Sequence, residues 1–99
     1  MRKILRPISK TPEDIIIVKG VFDFVGTYGV PIEITLDILK ENNTMPDWID
    51  YVDSAVKQGA KFSRVRLQLS NAVLDIYGGE FHKSWLERFD IVYIDSEIR

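Results

Sequence analysis

The chain has 99 residues and a mass of 11.4 kDa, with 45% hydrophobic and 28% charged residues, the balance of one ordered globular domain. It has no cysteine and one histidine, which excludes a disulfide framework, cysteine-built zinc or iron–sulfur sites, thiol catalysis and most histidine relay chemistry. The net charge of −2 and the pI of about 5.3 exclude a chain that is basic throughout.

Met1-Arg2-Lys3-Ile4-Leu5-Arg6-Pro7 is basic like the start of a signal peptide. Ser9, Lys10, Thr11, Glu13 and Asp14 then interrupt the apolar stretch that such a peptide needs. No segment approaches the ~20 apolar residues of a transmembrane helix. The expectation is a cytosolic protein, or a virion component if the chain is phage-encoded, without a membrane partner. Residues 1–11 read as a basic N-terminal arm on a single helical domain spanning 1–99.

Thr11-Pro12-Glu13-Asp14 carries a helix-start signal: a capping threonine, proline at the first helical position and two acids at the positive pole. Ile15, Val18, Phe22 and Val25 follow at helical spacing, and Gly26 and Gly29 end the segment. The β-branched run Ile15-Ile16-Ile17-Val18 with Lys19-Gly20 supports a hairpin instead. Capping and spacing together favour helix. Pro31 opens a second helix with Ile32, Leu36 and Leu39 on its apolar face, closed by Asn42-Asn43. Thr44-Met45-Pro46-Asp47 repeats the start signal for a third, in which Trp48, Val52, Ala55 and Val56 face inward up to Gly59. Ser63 caps a fourth, with Val65, Leu69, Ala72, Val73 and Ile76 as its stripe and Gly78-Gly79 as its stop. A short fifth begins near Glu80 and carries Phe81, Trp85 and Phe89. The fold class expected is all-α: a small bundle of about five short helices, with room for short extended segments at the N-terminus and near residues 90–95.

No constellation points to catalysis or a cofactor. His82 is the sole histidine, and no G-x-S-x-G elbow accompanies it. Asp47, Asp50 and Asp53 step along one helix face, a spacing that can gather a cation but equally makes a solvated face; no EF-hand pattern is present. Gly26-Thr27-Tyr28-Gly29 is neither a P-loop nor a dinucleotide fingerprint. No metal site, cofactor or enzymatic activity is expected.

Charge placement is more informative than total charge. Residues 1–12 carry +4, residues 13–53 carry −7, residues 54–66 carry +4 and residues 67–99 carry −3. The second basic block, Lys57, Lys61, Arg64 and Arg66, is the candidate binding set for phosphates or an acidic surface. Charge balance within the molecule is the competing explanation.

The stretch from Val21 to Thr35 resembles a signature of alanyl-tRNA synthetases, roughly F-x-L-x-D-T-Y-G-F-P-x-D-x-T. Phe22, Thr27, Tyr28, Gly29, Pro31 and Thr35 match, and Glu33 matches in charge. In the same register Tyr51 stands where the family has Phe, and Gln58 on its Gln before a basic run, here Lys61 and Arg64. The resemblance ends near Arg66 and implies a helical tRNA-recognition hairpin, with Thr27, Tyr28, Gly29 and Pro31 as its turn. Gly26 replaces the family's Asp and Val30 its Phe, while Gly59-Ala60 weakens its Arg-rich continuation. The synthetase catalytic core and the histidines and cysteine of its editing site are absent from this sequence. Pro46-Asp47-Trp48, Tyr77-Gly78-Gly79-Glu80-Phe81, Trp85 and Arg88 are similar to small phage-encoded proteins.

The function expected is a non-enzymatic helical binding or adaptor module with a protein partner. An RNA-binding module comes second and a capsid or assembly component third. Trp48, Tyr51, Tyr77, Phe81 and Trp85 are core aromatics that can also serve as anchors.

Overall fold

Thr11-Pro12-Glu13-Asp14 turns a β-hairpin rather than starting a helix. The computed structural model describes residues 5–98, with side chains through residue 90. Among the described residues it contains five helices and a three-stranded sheet, so the fold is mixed α/β and the all-α expectation is corrected. Strand β1 (Arg6–Lys10) runs antiparallel to β2 (Ile16–Lys19), with a register irregularity between Pro7 and Ser9.

The hairpin uses the same residues that suggested a helix cap. The Thr11 N–H donates to the Ile15 carbonyl at 2.8 Å, and the Asp14 N–H donates to the Thr11 carbonyl at 2.9 Å. The Thr11 hydroxyl accepts from the Ile15 N–H at 3.1 Å. Proline fixes the first central angle of the turn, and Asp14 takes the left-handed conformation at φ 68°. A hydroxyl that accepts a nearby N–H serves a cap or a turn equally well. The β-branched run beyond it settled the outcome toward strand.

Helix α1 (Val21–Tyr28) begins directly after β2, so the expected 14–25 helix is split into a strand and a helix. Gly20 at φ 90° makes the junction, and its N–H donates to the Asp50 carboxylate at 3.0 Å. Gly29 at φ 66° ends α1, while Gly26 lies within the helix. Pro31 caps α2 (Ile32–Glu41) instead of forming its first residue. Thr44-Met45-Pro46 is strand β3 (Thr44–Pro46), parallel to β2 with Ile17 opposite Met45. Proline holds its predecessor extended, so this segment forms a strand and passes the capping role to Asp47. The Asp47 carboxylate accepts from the Asp50 N–H at 3.1 Å at the head of α3 (Trp48–Lys57).

Helix α4 (Phe62–Tyr77) starts one residue before Ser63, with Lys61 at the cap position. Helix α5 (Gly79–Ile98) is 20 residues long rather than short, and its backbone is helical through residues 90–95, where an extended segment was allowed. Gly78 at φ 89° reverses the chain between them. The basic arm is in part strand β1, whose five residues are all exposed; Arg2 and Lys3 lie outside the described residues.

One core joins β2 to α5. Leu36, Val52, Ala55, Leu69, Ala72 and Val73 are completely buried, and Val18, Val21, Trp85 and Phe89 close around them. Helix α2 packs on α4, α1 on α3, and α4 on both α3 and α5. Leu36 on α2, Val52 on α3, and Leu69, Ala72 and Val73 on α4 fall on stripes that helical spacing requires.

Candidate binding groove

Ile15–Val18, the residue before β2 and its first three residues, is apolar on both faces, and this creates the candidate site. Val18 and Ile16 turn into the core. Ile15 and Ile17, on the alternate face, line a half-open groove of about 480 Å³. Met45, paired with Ile17 in the sheet, and Pro46 extend this wall. Helix α5 supplies the facing wall with Phe81, Ser84, Trp85 and Arg88, an i, i+3, i+4, i+7 stripe. Trp48 and Ile49, at the head of α3, close one end.

The groove is backed by a continuous aromatic layer. Trp48 and Trp85 meet edge-to-face at 5.8 Å, and Trp85 stacks on Phe89 at 4.8 Å. Trp48 also contacts Tyr77 at 6.1 Å, and Tyr77 stacks on Phe81 at 4.6 Å. The Trp85 indole N–H and the Tyr77 hydroxyl are buried with no hydrogen-bond partner among the described residues. Burial pushes the Tyr77 phenol up to about 12. Tyr51, packed edge-to-face on Phe22, is also raised to about 12, by burial first and by the Glu33 charge second. Both phenols stay neutral across the physiological range. Trp48, Phe81 and Trp85 therefore serve as core and groove wall together, whereas Tyr51 is core alone.

Polar groups around the groove are few. Asp47 is occupied as the cap of α3, and Thr11 holds the hairpin turn. Glu13 on the hairpin and Arg88 on α5 are exposed, and neither has an ionic or hydrogen-bonding partner among the described residues.

The sequence-predicted cations are not a single set. Lys57, Lys61 and Arg64 are exposed where α3 ends and α4 begins. Arg66 is not part of that surface: its guanidinium is bidentate to Asp90 on α5, with contacts of 2.8 to 3.0 Å. Helix α4 has no side-chain cap and no acid in its first turn, whereas α3 has Asp47 and Asp50 there. Lys61 and Arg64 thus sit at the positive pole of a helix, which charge–dipole interaction disfavours by a few tenths of a kcal/mol each, about 0.3 or more.

The acids of α3 have structural partners as well. Asp47 caps the helix, Asp50 holds Gly20, and Asp53 is engaged too. Among the described residues no group of three or more His, Asp or Glu side chains is placed to hold a metal ion. His82 contacts the Ser70 hydroxyl at 2.7 Å and stacks on Trp85 at 6.2 Å. Ser70 is buried on α4 and His82 is on α5, so this serine–histidine contact clamps two helices.

Of the residues expected as a turn, Thr27 and Tyr28 end α1, and Gly29 and Pro31 lie in the link to α2. Gly29 donates its N–H to the Val25 carbonyl at 2.9 Å, and the Pro31 carbonyl accepts from the buried Thr35 hydroxyl at 3.1 Å. Tyr28 is exposed and leans on Phe24 at 4.9 Å. The helices on either side pack chiefly on α3 and α4 rather than on each other. Gln58 donates its side-chain amide to Asp23 of α1 at 2.9 Å, joining two parts of the synthetase-like stretch.

Sequence reasoning missed the groove and the charges beside it. The available signal was the run Ile15–Val18, which lacks the alternation of a strand with one wet face. Comparison with known proteins found no matching family model, no matching curated protein and no matching solved structure. No helix among the described residues is long and apolar enough to cross a membrane.

Proposed function

We propose that this chain is a non-enzymatic binding module that seats an apolar segment of a protein partner in the groove between the sheet and α5. The observation that carries the reading is the apolar pair Ile15 and Ile17, at the start of β2, left half-open opposite Phe81 and Trp85. A groove of this volume, with aromatic walls and few polar groups, has the make-up of a recognition pocket. Anchoring by aromatic walls is the usual way such a surface gains affinity. The setting proposed is the cytosol or a virion assembled there.

Both tryptophans of the chain line the groove, so intrinsic fluorescence reports its occupancy. Peptides selected from a random library on the immobilised protein are expected to shift tryptophan emission on binding. They should lose at least tenfold in affinity to Ser84→Tyr, which fills the groove from an exposed position. Selected peptides that bind Ser84→Tyr as well as the parent would refute the reading.

A second reading is favoured by the α3–α4 elbow. Lys57, Lys61 and Arg64 beside an uncapped helix start suit phosphate oxygens, in keeping with the basic run of the synthetase-like stretch. It predicts RNA binding that weakens steeply with salt and is lost in Lys61→Glu/Arg64→Glu. Mobility shifts with tRNA and with unrelated RNA test it, and the absence of any salt-sensitive complex sinks it.

A further inference from the structure

Resting on the groove reading, the charges around the site define the partner's chemistry. Apolar walls alone accept any hydrophobic anchor, so discrimination falls to the polar groups beside them. Thr11 and Asp47 are already used inside the protein, as the hairpin turn and the α3 cap. This leaves one acid on the sheet side, Glu13, and one cation on the α5 side, Arg88, each without a partner among the described residues. Arg66 is paired with Asp90, Lys10 with Asp14, and Lys40 with the Ile76 carbonyl and the Tyr77 ring, while Lys57, Lys61 and Arg64 do not line the groove. Arg88 and Glu13 therefore stand out as groove-lining charges with no salt-bridge partner among the described residues.

We infer that the groove takes a protein segment with an apolar anchor flanked by an acid on one side and a base on the other. The anchor lies against Ile17, Phe81 and Trp85, the acid meets Arg88 and Ser84, and the base meets Glu13. Ser84 stands one turn from Arg88 on the same stripe, so its hydroxyl and the guanidinium can donate to one carboxylate.

The test is a random 12-residue peptide library selected in parallel on the intact parent protein, Arg88→Glu and Glu13→Lys. Both substituted positions are exposed, and each variant is first matched to the parent by thermal unfolding. The parent is expected to enrich apolar anchors with one acidic and one basic flank. Arg88→Glu, with a second unpartnered acid besides Glu13 beside its groove, should enrich two basic flanks; Glu13→Lys should enrich two acidic flanks. Parent-selected peptides should bind either variant on the order of tenfold more weakly at low salt, with the gap shrinking as salt rises. If all three proteins enrich the same apolar anchors with no flank preference, this inference is overturned while the binding module stands. If no enriched peptide is displaced by Ser84→Tyr, the groove reading fails with it. A concentration-dependent dimer in light scattering that Ser84→Tyr abolishes would make a second copy the occupant and overturn the proposal.

Discussion

The two sides of the aromatic layer obey different rules. On one side Trp85 and Phe89 close a core in which Leu36, Val52, Leu69 and Val73 have no exposed surface. On the other, Trp85 and Phe81 face Ile15 and Ile17 across an open groove. The same residue types occur on both sides. What differs is the number of elements that cover them: α2, α3 and α4 enclose the core, while β2 and α5 face each other over the groove with α3 only at one end. Residues behind the layer are tied to stability, and residues in front of it are available for binding.

Substitutions on the closed side should have the largest effect. Leu69→Ala empties a fully buried site and should cost about 2–5 kcal/mol of unfolding free energy in a urea titration. If the loss is under about 1 kcal/mol, the core is looser than its burial indicates.

Alkali should act on the closed side through Tyr51 and on the layer through Tyr77. Tyr51 and Tyr77 have folded pKa values of about 12 against about 10 in the unfolded chain. Below pH ~10 both states are protonated and stability is unaffected. Above it the unfolded chain ionises first, so stability falls by about 1.4 kcal/mol per pH unit per tyrosine up to the folded pKa. Denaturant midpoints measured from pH 8 to 11 check this, and Tyr51→Phe should flatten the decline. A midpoint that stays constant through pH 11 would show the phenols to be solvated.

At the boundary between the two sides, Asp47→Ala removes the α3 cap and should cost about 1 kcal/mol by thermal unfolding. Arg66→Ala breaks a bidentate pair that is only partly shielded from solvent, and about 1 kcal/mol or less is expected from a double-mutant cycle with Asp90→Ala. On the open side, Ser84→Tyr should change stability by no more than about 0.5 kcal/mol while abolishing peptide binding. A variant that lost stability and binding in parallel would erase the distinction between the two sides.

The helical half of the fold was legible for a local reason. Gly29, Asn42 and Gly78 stop helices through backbone geometry that neighbours in sequence specify. The stripes Ile32–Leu36–Leu39 and Val65–Leu69–Ala72–Val73 name their buried faces without reference to other elements. The sheet was not legible in this way. Thr11-Pro12-Glu13-Asp14 and Thr44-Met45-Pro46-Asp47 carry signals shared by helix starts and by turns or strand ends. For the second the choice is made by pairing between residues some 28 positions apart, as in Ile16 with Thr44, and for the first by the hairpin pairing of β1 with β2. The basic block was legible as composition, yet Arg66 left it for an acid 24 positions away.

The sequence by itself therefore determined the stops of α2 to α4, most of their buried faces, with Val56 exposed where it was expected inward, and the two tryptophans' place among apolar neighbours. These follow from local backbone preference and from periodicity. Only the tertiary structure decided between helix and hairpin for Ile15–Val18, left Ile15 and Ile17 on a half-open groove, and set Glu13 and Arg88 beside it. Those outcomes depend on which distant segments pack together, and no short window of residues contains that information.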